Sequence, residues 1–290
     1  MSTAELTTGW HTVEIEGVRQ AYEVAGSGPI CVVHSGGPGM HADYLRMPPL
    51  EQHLTMVYLD PVGTGRSGLL PGGDYGVPEY ARRAALLLER LDVTDVIFLG
   101  HSHGGFVALQ YGITFPLRVR GLVVYDGAPV SSSLLRDEAD RQMTAFVERW
   151  PERPEAVEAG RMWSARRAGE YVVHDRDSHR HYLDAVWPAY FADFRRTVGD
   201  LGARPAVEVT YDPARKPEQW DVRDRLGAIE VPTLVIVGDH DFVCPPVWSH
   251  ELSAGIPHAR LLELKDSGHF GHIEQPAEFQ RGVLAFAEAV

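Results

Sequence analysis

Apolar residues in this chain fall in short dense runs, separated by stretches in which they recur every three or four positions. The runs "ICVV" (30–33), "TMVYLD" (55–60), "VIFLG" (96–100), "GLVVYD" (121–126) and "TLVIVGD" (233–239) are β-branched and nearly continuous. That pattern predicts strands covered by helices on both faces. "TVEIEG" (12–17) and "RQAYEVAG" (19–26) alternate polar and apolar residues instead, and predict an antiparallel pair that turns near Gly17. Between the runs, "VPEYARRAALLLERLD" (77–92), "HGGFVALQYGITFP" (103–116) and "QPAEFQRGVLAFAEAV" (275–290) carry helical spacing. The first and last begin at a proline and the middle one ends at a proline, as helices do. Strand, helix, strand, helix predicts a doubly wound, mostly parallel α/β sheet.

The alternation stops between 131 and 228. No buried-strand run occurs there, and Arg, Glu, Trp and Tyr recur in helical context over 134–150, 154–172 and 178–194. The expected organisation is a sheet domain (1–130 and 229–290) with a helical cap (131–228) inserted after the sixth strand. Such a cap would lie over the carboxyl ends of the strands, where open α/β sheets bind ligands. A stretch this long is too large for an idle loop.

Composition narrows the class of partner. The net charge of −13 and the lack of a Lys/Arg cluster exclude a nucleic-acid backbone. No run approaches the length of a membrane span, and the first residues lack the basic-then-apolar order of a secretion signal. Two cysteines, Cys31 and Cys244, make no disulfide framework and fit a reducing compartment, so the cytoplasm is expected. A small molecule or short peptide is the expected partner.

The chemistry centres on "GHSHGG" (100–105), directly after the apolar run at 96–99. Two chemistries fit it. His101 and His103 form a His-x-His pair that could hold a metal. Gly100, Ser102 and Gly104 form a Gly-x-Ser-x-Gly frame that, between strand and helix, lifts a serine nucleophile on a sharp turn. A serine at neutral pH needs a base, itself oriented by an acid. Ser267-Gly268-His269 supplies the base, with His272 as rival, and "GDHD" (238–241) supplies Asp241, with Asp239 as a turn-former. Asp126 also lies between Ser102 and His269 in sequence, so order alone does not choose between the two acids. The backbone N–H of His103 and an N–H from "HSGGPG" (34–39) are the expected oxyanion donors, Gly37 first and Gly36 second. Asp60 and Arg66 in "DPVGTGRS" (60–67) are expected to tie their own loop together. No other histidine shows the spacing of a metal site, so neither metal nor cofactor is expected.

At these residues the chain resembles α/β-hydrolase-fold serine hydrolases, and within them it is similar to the proline iminopeptidase branch. The motifs that carry the likeness are "GGPG" (36–39), "DPVGTGRS", "GHSHGG", "GDHD" and "SGHFGHIEQP" (267–276). Ser35 and His103 depart from the branch, which has His before the Gly-Gly-Pro-Gly loop and often Trp after the nucleophile. The resemblance implies the α/β-hydrolase fold, Asp241 as the acid, and an aminopeptidase that releases an N-terminal residue. Hydrolysis of an ester, thioester or lactone is the alternative, and a non-catalytic ligand binder is a third. Gly36, Trp163, Trp187 and Tyr190 are the expected substrate contacts.

Overall fold

The computed structural model describes residues 6–196, 207–216 and 218–290. Its strands are β1 (Gly9–Ile15), β2 (Val18–Gly26), β3 (Ile30–His34), β4 (Thr55–Asp60), β5 (Val96–His101), β6 (Val119–Tyr125), β7 (Val130–Ser131), β8 (Trp220–Asp221), β9 (Thr233–Gly238) and β10 (Ala259–Leu264). One eight-stranded sheet runs in the order β1-β2-β4-β3-β5-β6-β9-β10, and β7 pairs with β8 apart from it. β2 runs antiparallel to both its neighbours, and every later strand of the sheet is parallel. This is the mostly parallel sheet expected from the pattern, in the α/β-hydrolase arrangement that the resemblance implies.

The helices used below are α1 (Pro48–Glu51), α2 (Val77–Arg90), α3 (His103–Thr114), α4 (Ser133–Arg149), α5 (Pro154–Arg167), α6 (Arg176–Val186), α7 (Pro246–Gly255), α8 (Gly271–Glu274) and α9 (Pro276–Ala289). The central strands explain why their sequences are apolar throughout. Val32, Phe98, Leu122 and Val235 pack into one cluster with residues of α2, α3 and α7. Their neighbours Val33, Ile97, Val123 and Ile236 pack into another cluster with residues of α1 and α9. Side chains alternate across a strand, so a sheet covered on both faces needs an apolar residue at every position. Each fully buried aliphatic side chain contributes about 1.5–3 kcal/mol relative to exposure.

Edge strand β10 is half exposed, which is why "ARLLEL" reads less clearly than the central runs. The segment between β7 and β8 holds α4, α5 and α6, the first and last of them started by side-chain caps. Ser132 accepts the Leu134 N–H at 3.2 Å, and Asp175 forms a reciprocal capping box with Ser178. Met162, Tyr182, Leu183, Val186 and Val209 form a small core of their own there. Towards its end the chain returns to the sheet. The Trp220 ring stacks on Phe106 at 5.6 Å, and its indole N–H donates to Gln110 at 3.0 Å.

Candidate active site

Ser102 sits between β5 and α3 with φ 56° and ψ −122°. A positive φ is costly for a residue with a side chain and marks a position held by its surroundings. The Ser102 N–H donates to the Tyr125 carbonyl at 2.9 Å, and its own carbonyl accepts the Gly105 N–H at 2.8 Å. The flanking glycines are sterically required. A Cβ on Gly100 would lie 1.9 Å from the Gly104 carbonyl oxygen, and one on Gly104 would lie 2.2 Å from that of His34. The serine thus stands at the N-terminus of α3, where the helix dipole favours negative charge.

Asp241 and His269 meet in the loops that follow β9 and β10. His269 Nδ1 lies 2.8 Å from Asp241 Oδ2, and both side chains are almost wholly buried. The other Asp241 oxygen accepts the Val243 and Cys244 N–H groups at 2.7 and 3.1 Å, which fixes the carboxylate in the loop after β9. The main chain of His269 is fixed too, its N–H donating to the Tyr190 carbonyl at 2.8 Å. His272 is engaged elsewhere: its ring nitrogens bond the Tyr125 hydroxyl at 2.9 Å and the Tyr44 carbonyl at 3.0 Å. Burial lowers its pKa to about 4. Asp239 accepts the Ser267 N–H at 3.2 Å, and Asp60 accepts the Arg66 N–H at 2.8 Å.

Asp126 is fully buried at φ 46° just after β6. Its Oδ1 accepts the Gly238 N–H at 3.0 Å, and its Oδ2 has no hydrogen-bond partner among the described residues. Burial, and then the nearby charge of Asp241, push its pKa well above the ordinary carboxylate range. The His269 ring bonds Asp241, whereas the Asp126 carboxyl bonds the Gly238 N–H.

The two histidines around Ser102 occupy different environments. His101 is buried, with Nε2 2.8 Å from the His269 carbonyl and Nδ1 2.7 Å from the Tyr44 hydroxyl. That hydroxyl also accepts the Gly36 N–H at 2.8 Å. One tautomer satisfies all three bonds: His101 donates from Nε2, and Tyr44 donates to Nδ1 while accepting from Gly36. His101 thus ties the glycine loop to the backbone of His269. The His103 ring packs edge-on to Tyr80 at 5.3 Å and beside Phe106 at 5.7 Å, and burial lowers its pKa to about 3. The structure does not bring the His-x-His pair together. His101, Asp126 and His269 do place ligand atoms within 4.8 Å of one another. Both nitrogens of His101 and the Nδ1 of His269 are already committed to Tyr44, the His269 carbonyl and Asp241, so a metal would have to break those bonds.

Gly36 lies so close to Ser102 that a Cβ there would come within 2.9 Å of the serine Cβ. Its N–H is spent on Tyr44. Gly37 has φ 115°, and no hydrogen bond among the described residues takes its N–H. The His103 N–H opens α3, where a helix has no internal acceptor for it. The Ser35 hydroxyl closes the loop by donating to the Met40 carbonyl at 2.8 Å.

A cavity of about 490 Å³ opens beside this loop, with Gly37, Pro38, Met40, Trp163, Tyr182 and Tyr190 in its wall. A slightly larger one, about 570 Å³, lies between α4 and α5 and touches none of the residues around Ser102. The first borders the loop whose Gly36 lies against Ser102. Trp163 and Tyr190 line it, whereas Trp187 is buried against Phe191 and Phe270 at 5.3 and 5.2 Å. Sequence reading passed over Tyr44, the linking role of His101, and Arg166, Arg215 and His179 in the cavity wall. No spacing signal marks them, because each reaches the site through tertiary packing.

The alpha/beta hydrolase fold family matches residues 28–276, and this chain belongs to that family of hydrolases. An uncharacterized protein of Mycobacterium tuberculosis is 30% identical over 91% of this chain and 77% of its own length. A proline iminopeptidase of Thermoplasma volcanium is 27% identical over 95% of both chains. Among solved structures, the enol-lactonase from Burkholderia xenovorans superimposes with a TM-score of 0.72 at 22% identity, over 96% of this chain and 100% of that one. No helix among the described residues is long and apolar enough to cross a membrane.

Proposed function

We propose that this protein is a serine hydrolase acting on a small ester- or lactone-like substrate, with Ser102, His269 and Asp241 as its triad and residues 131–228 as its cap. The observation that carries the reading is the 2.8 Å contact of Asp241 with His269, together with a serine held at positive φ on a strand-to-helix turn. In this mechanism the Ser102 hydroxyl attacks the acyl carbonyl as His269 takes its proton at Nε2. Asp241 holds the imidazole through Nδ1 and stabilises its charged form. The Gly37 and His103 N–H groups receive the oxyanion, a contribution of about 3 kcal/mol per donor in comparable sites. His269 then protonates the leaving group, and water activated by the same imidazole clears the acyl-enzyme. No metal or cofactor enters these steps.

An aminopeptidase is the second reading, favoured by similarity to the Thermoplasma enzyme along nearly the whole chain. A free α-amine entering a closed site needs a carboxylate to replace its hydration. Among the described lining residues Asp212 alone is acidic, and it already accepts from the Tyr75 hydroxyl and the Ala214 N–H. That favours the ester-like class. The test is labelling by a fluorophosphonate, beside kcat/KM for p-nitrophenyl esters and for alanyl and prolyl arylamides. Ser102→Ala should abolish labelling and lower ester turnover by at least about 10³-fold while the protein stays folded. Labelling that survives the substitution refutes the nucleophile, and turnover of free-amine arylamides without esters replaces this reading by the second.

A further inference from the structure

The cavity beside Gly37 has an unusual charge for so acidic a protein. Arg166, Arg215 and His179 line it, against Asp212 as the acidic residue. Carboxylates are plentiful nearby, and the neighbouring arginines use them: Arg161 pairs with Glu158 at 2.7 Å and Arg167 with Asp140 at 3.0 Å. No carboxylate among the described residues lies within ion-pair distance of Arg166 or Arg215. Arg166 stacks over the Tyr182 ring at 4.7 Å. Arg215 is held more firmly, donating to the Tyr80 hydroxyl at 3.1 Å and the Gly63 carbonyl at 3.0 Å, with its guanidinium over the Tyr75 ring at 4.4 Å. Of its five N–H donors, the others find no protein acceptor among the described residues. Burial, aided by both guanidinium groups, lowers the His179 pKa to about 4, so at neutral pH its ring is an uncharged hydrogen-bonding group between two cations.

A guanidinium oriented by neutral acceptors keeps its full charge and presents a planar fork suited to a carboxylate. Met40, Trp163 and Tyr190 give the same cavity an apolar stretch beside the oxyanion loop. We propose that the cavity selects an acyl substrate that carries a carboxylate, received by Arg215 and Arg166 with His179 beside them, while Gly37 faces the scissile carbonyl. This deepens the serine hydrolase reading and rests on it. A cationic α-amine would meet repulsion in the same place.

The test uses three p-nitrophenyl esters with six-carbon acyl chains ending in a carboxylate, a carboxamide or a methyl group. Wild-type protein should prefer the carboxylate over the carboxamide by at least about tenfold in kcat/KM, the scale of one well-formed charged hydrogen-bond pair. Arg166→Gln and Arg215→Gln should each reduce that ratio by about fivefold or more, and raising the salt concentration should reduce it too. Arg161→Gln, a paired arginine of the same helix outside the cavity, should leave the ratio alone. Arg215 also holds Gly63 and Tyr80, so Arg215→Lys serves if the glutamine variant does not fold. A wild-type ratio near one, or a ratio unmoved by both glutamine variants, overturns the proposal. If no ester turns over and the fluorophosphonate does not label Ser102, the hydrolase reading has failed by itself. Calorimetric titration with adipate then decides the anion site: binding to wild type that weakens in Arg166→Gln supports it, and no binding overturns it.

Discussion

The loops at the carboxyl ends of β3, β5, β9 and β10 and the helical segment above them differ in how their polar groups are partnered. Below the cavity nearly every polar atom is committed. Asp241 uses both oxygens, His101 both ring nitrogens, and Tyr44 its hydroxyl twice. Above it, α4 and α5 are braced by ion pairs exposed to solvent, such as Arg141 with Glu138 and Arg161 with Glu158, and such pairs add little stability. Arg166 carries no such pair. The contrast separates two jobs. Groups that must meet a transition state cost least in reorganisation when they are already fixed. Groups that choose a substrate must keep bonding capacity for it.

The largest test of the lower region concerns the two buried acids. Asp241→Asn should misorient the imidazole and lower kcat by about 10⁴-fold. Asp126→Asn should cost far less, within about tenfold, because that side chain bonds the Gly238 N–H rather than the His269 ring, and an amide oxygen can still accept that bond. Steady-state kinetics of the two variants on one ester decide it. The reverse ranking would move the triad acid to Asp126.

The next effect concerns the residues on either side of Ser102. His101→Ala removes the link between Tyr44 and the His269 carbonyl, so the glycine loop and the base lose their common support. A fall in kcat of about 10- to 100-fold is expected, the cost of loosening positioned groups, with KM changed less. Tyr44→Phe should produce a smaller fall of the same kind. His103→Ala removes a ring packed on Tyr80 and Phe106, so its main effect should be a lowered Tm. Equal losses of kcat at both histidines, restored by zinc, would instead establish a metal site.

Much of the lower region was legible in the sequence because its constraints are local. The turn at Ser102 needs glycine at 100 and 104 for steric reasons that act within a few residues. The central strands announce themselves because both faces are covered. Helix α7 was passed over, since Trp248 and Leu252 are its only buried large apolar residues over ten positions. The pairing of β7 with β8 spans two residues on each side, too few to show a period. The upper wall was the least legible part. Arg215 lies far along the chain from Gly63 and Tyr80, and nothing in its local sequence points to them. Order alone left Asp126 and Asp241 open and the resemblance pointed to Asp241, whose hydrogen bond to His269 forms only through tertiary packing.

The smallest expected effect lies where the two regions join. Glu274 ends α8 and accepts the Gly268 N–H at 2.6 Å through one oxygen and the Ala192 N–H at 3.0 Å through the other. It therefore links the loop carrying His269 to the segment between β6 and β9. Burial raises its pKa to about 7, with the backbone N–H groups and Arg196 opposing the rise. Because the folded value lies above the unfolded one, the protonated carboxyl favours the fold. This contribution is fully present below about pH 4.5 and is lost as the pH rises to about 7. Glu274→Gln keeps one acceptor oxygen and removes the titration. The wild-type Tm should fall between pH 5 and pH 8 relative to that variant, by an amount on the order of a few degrees. Thermal melts of both proteins across that range are the measurement, and parallel curves would mean that the junction does not titrate. If ester turnover also falls with the wild-type Tm while the variant stays flat, Glu274 transmits the pH to the His269 loop as well as to the fold.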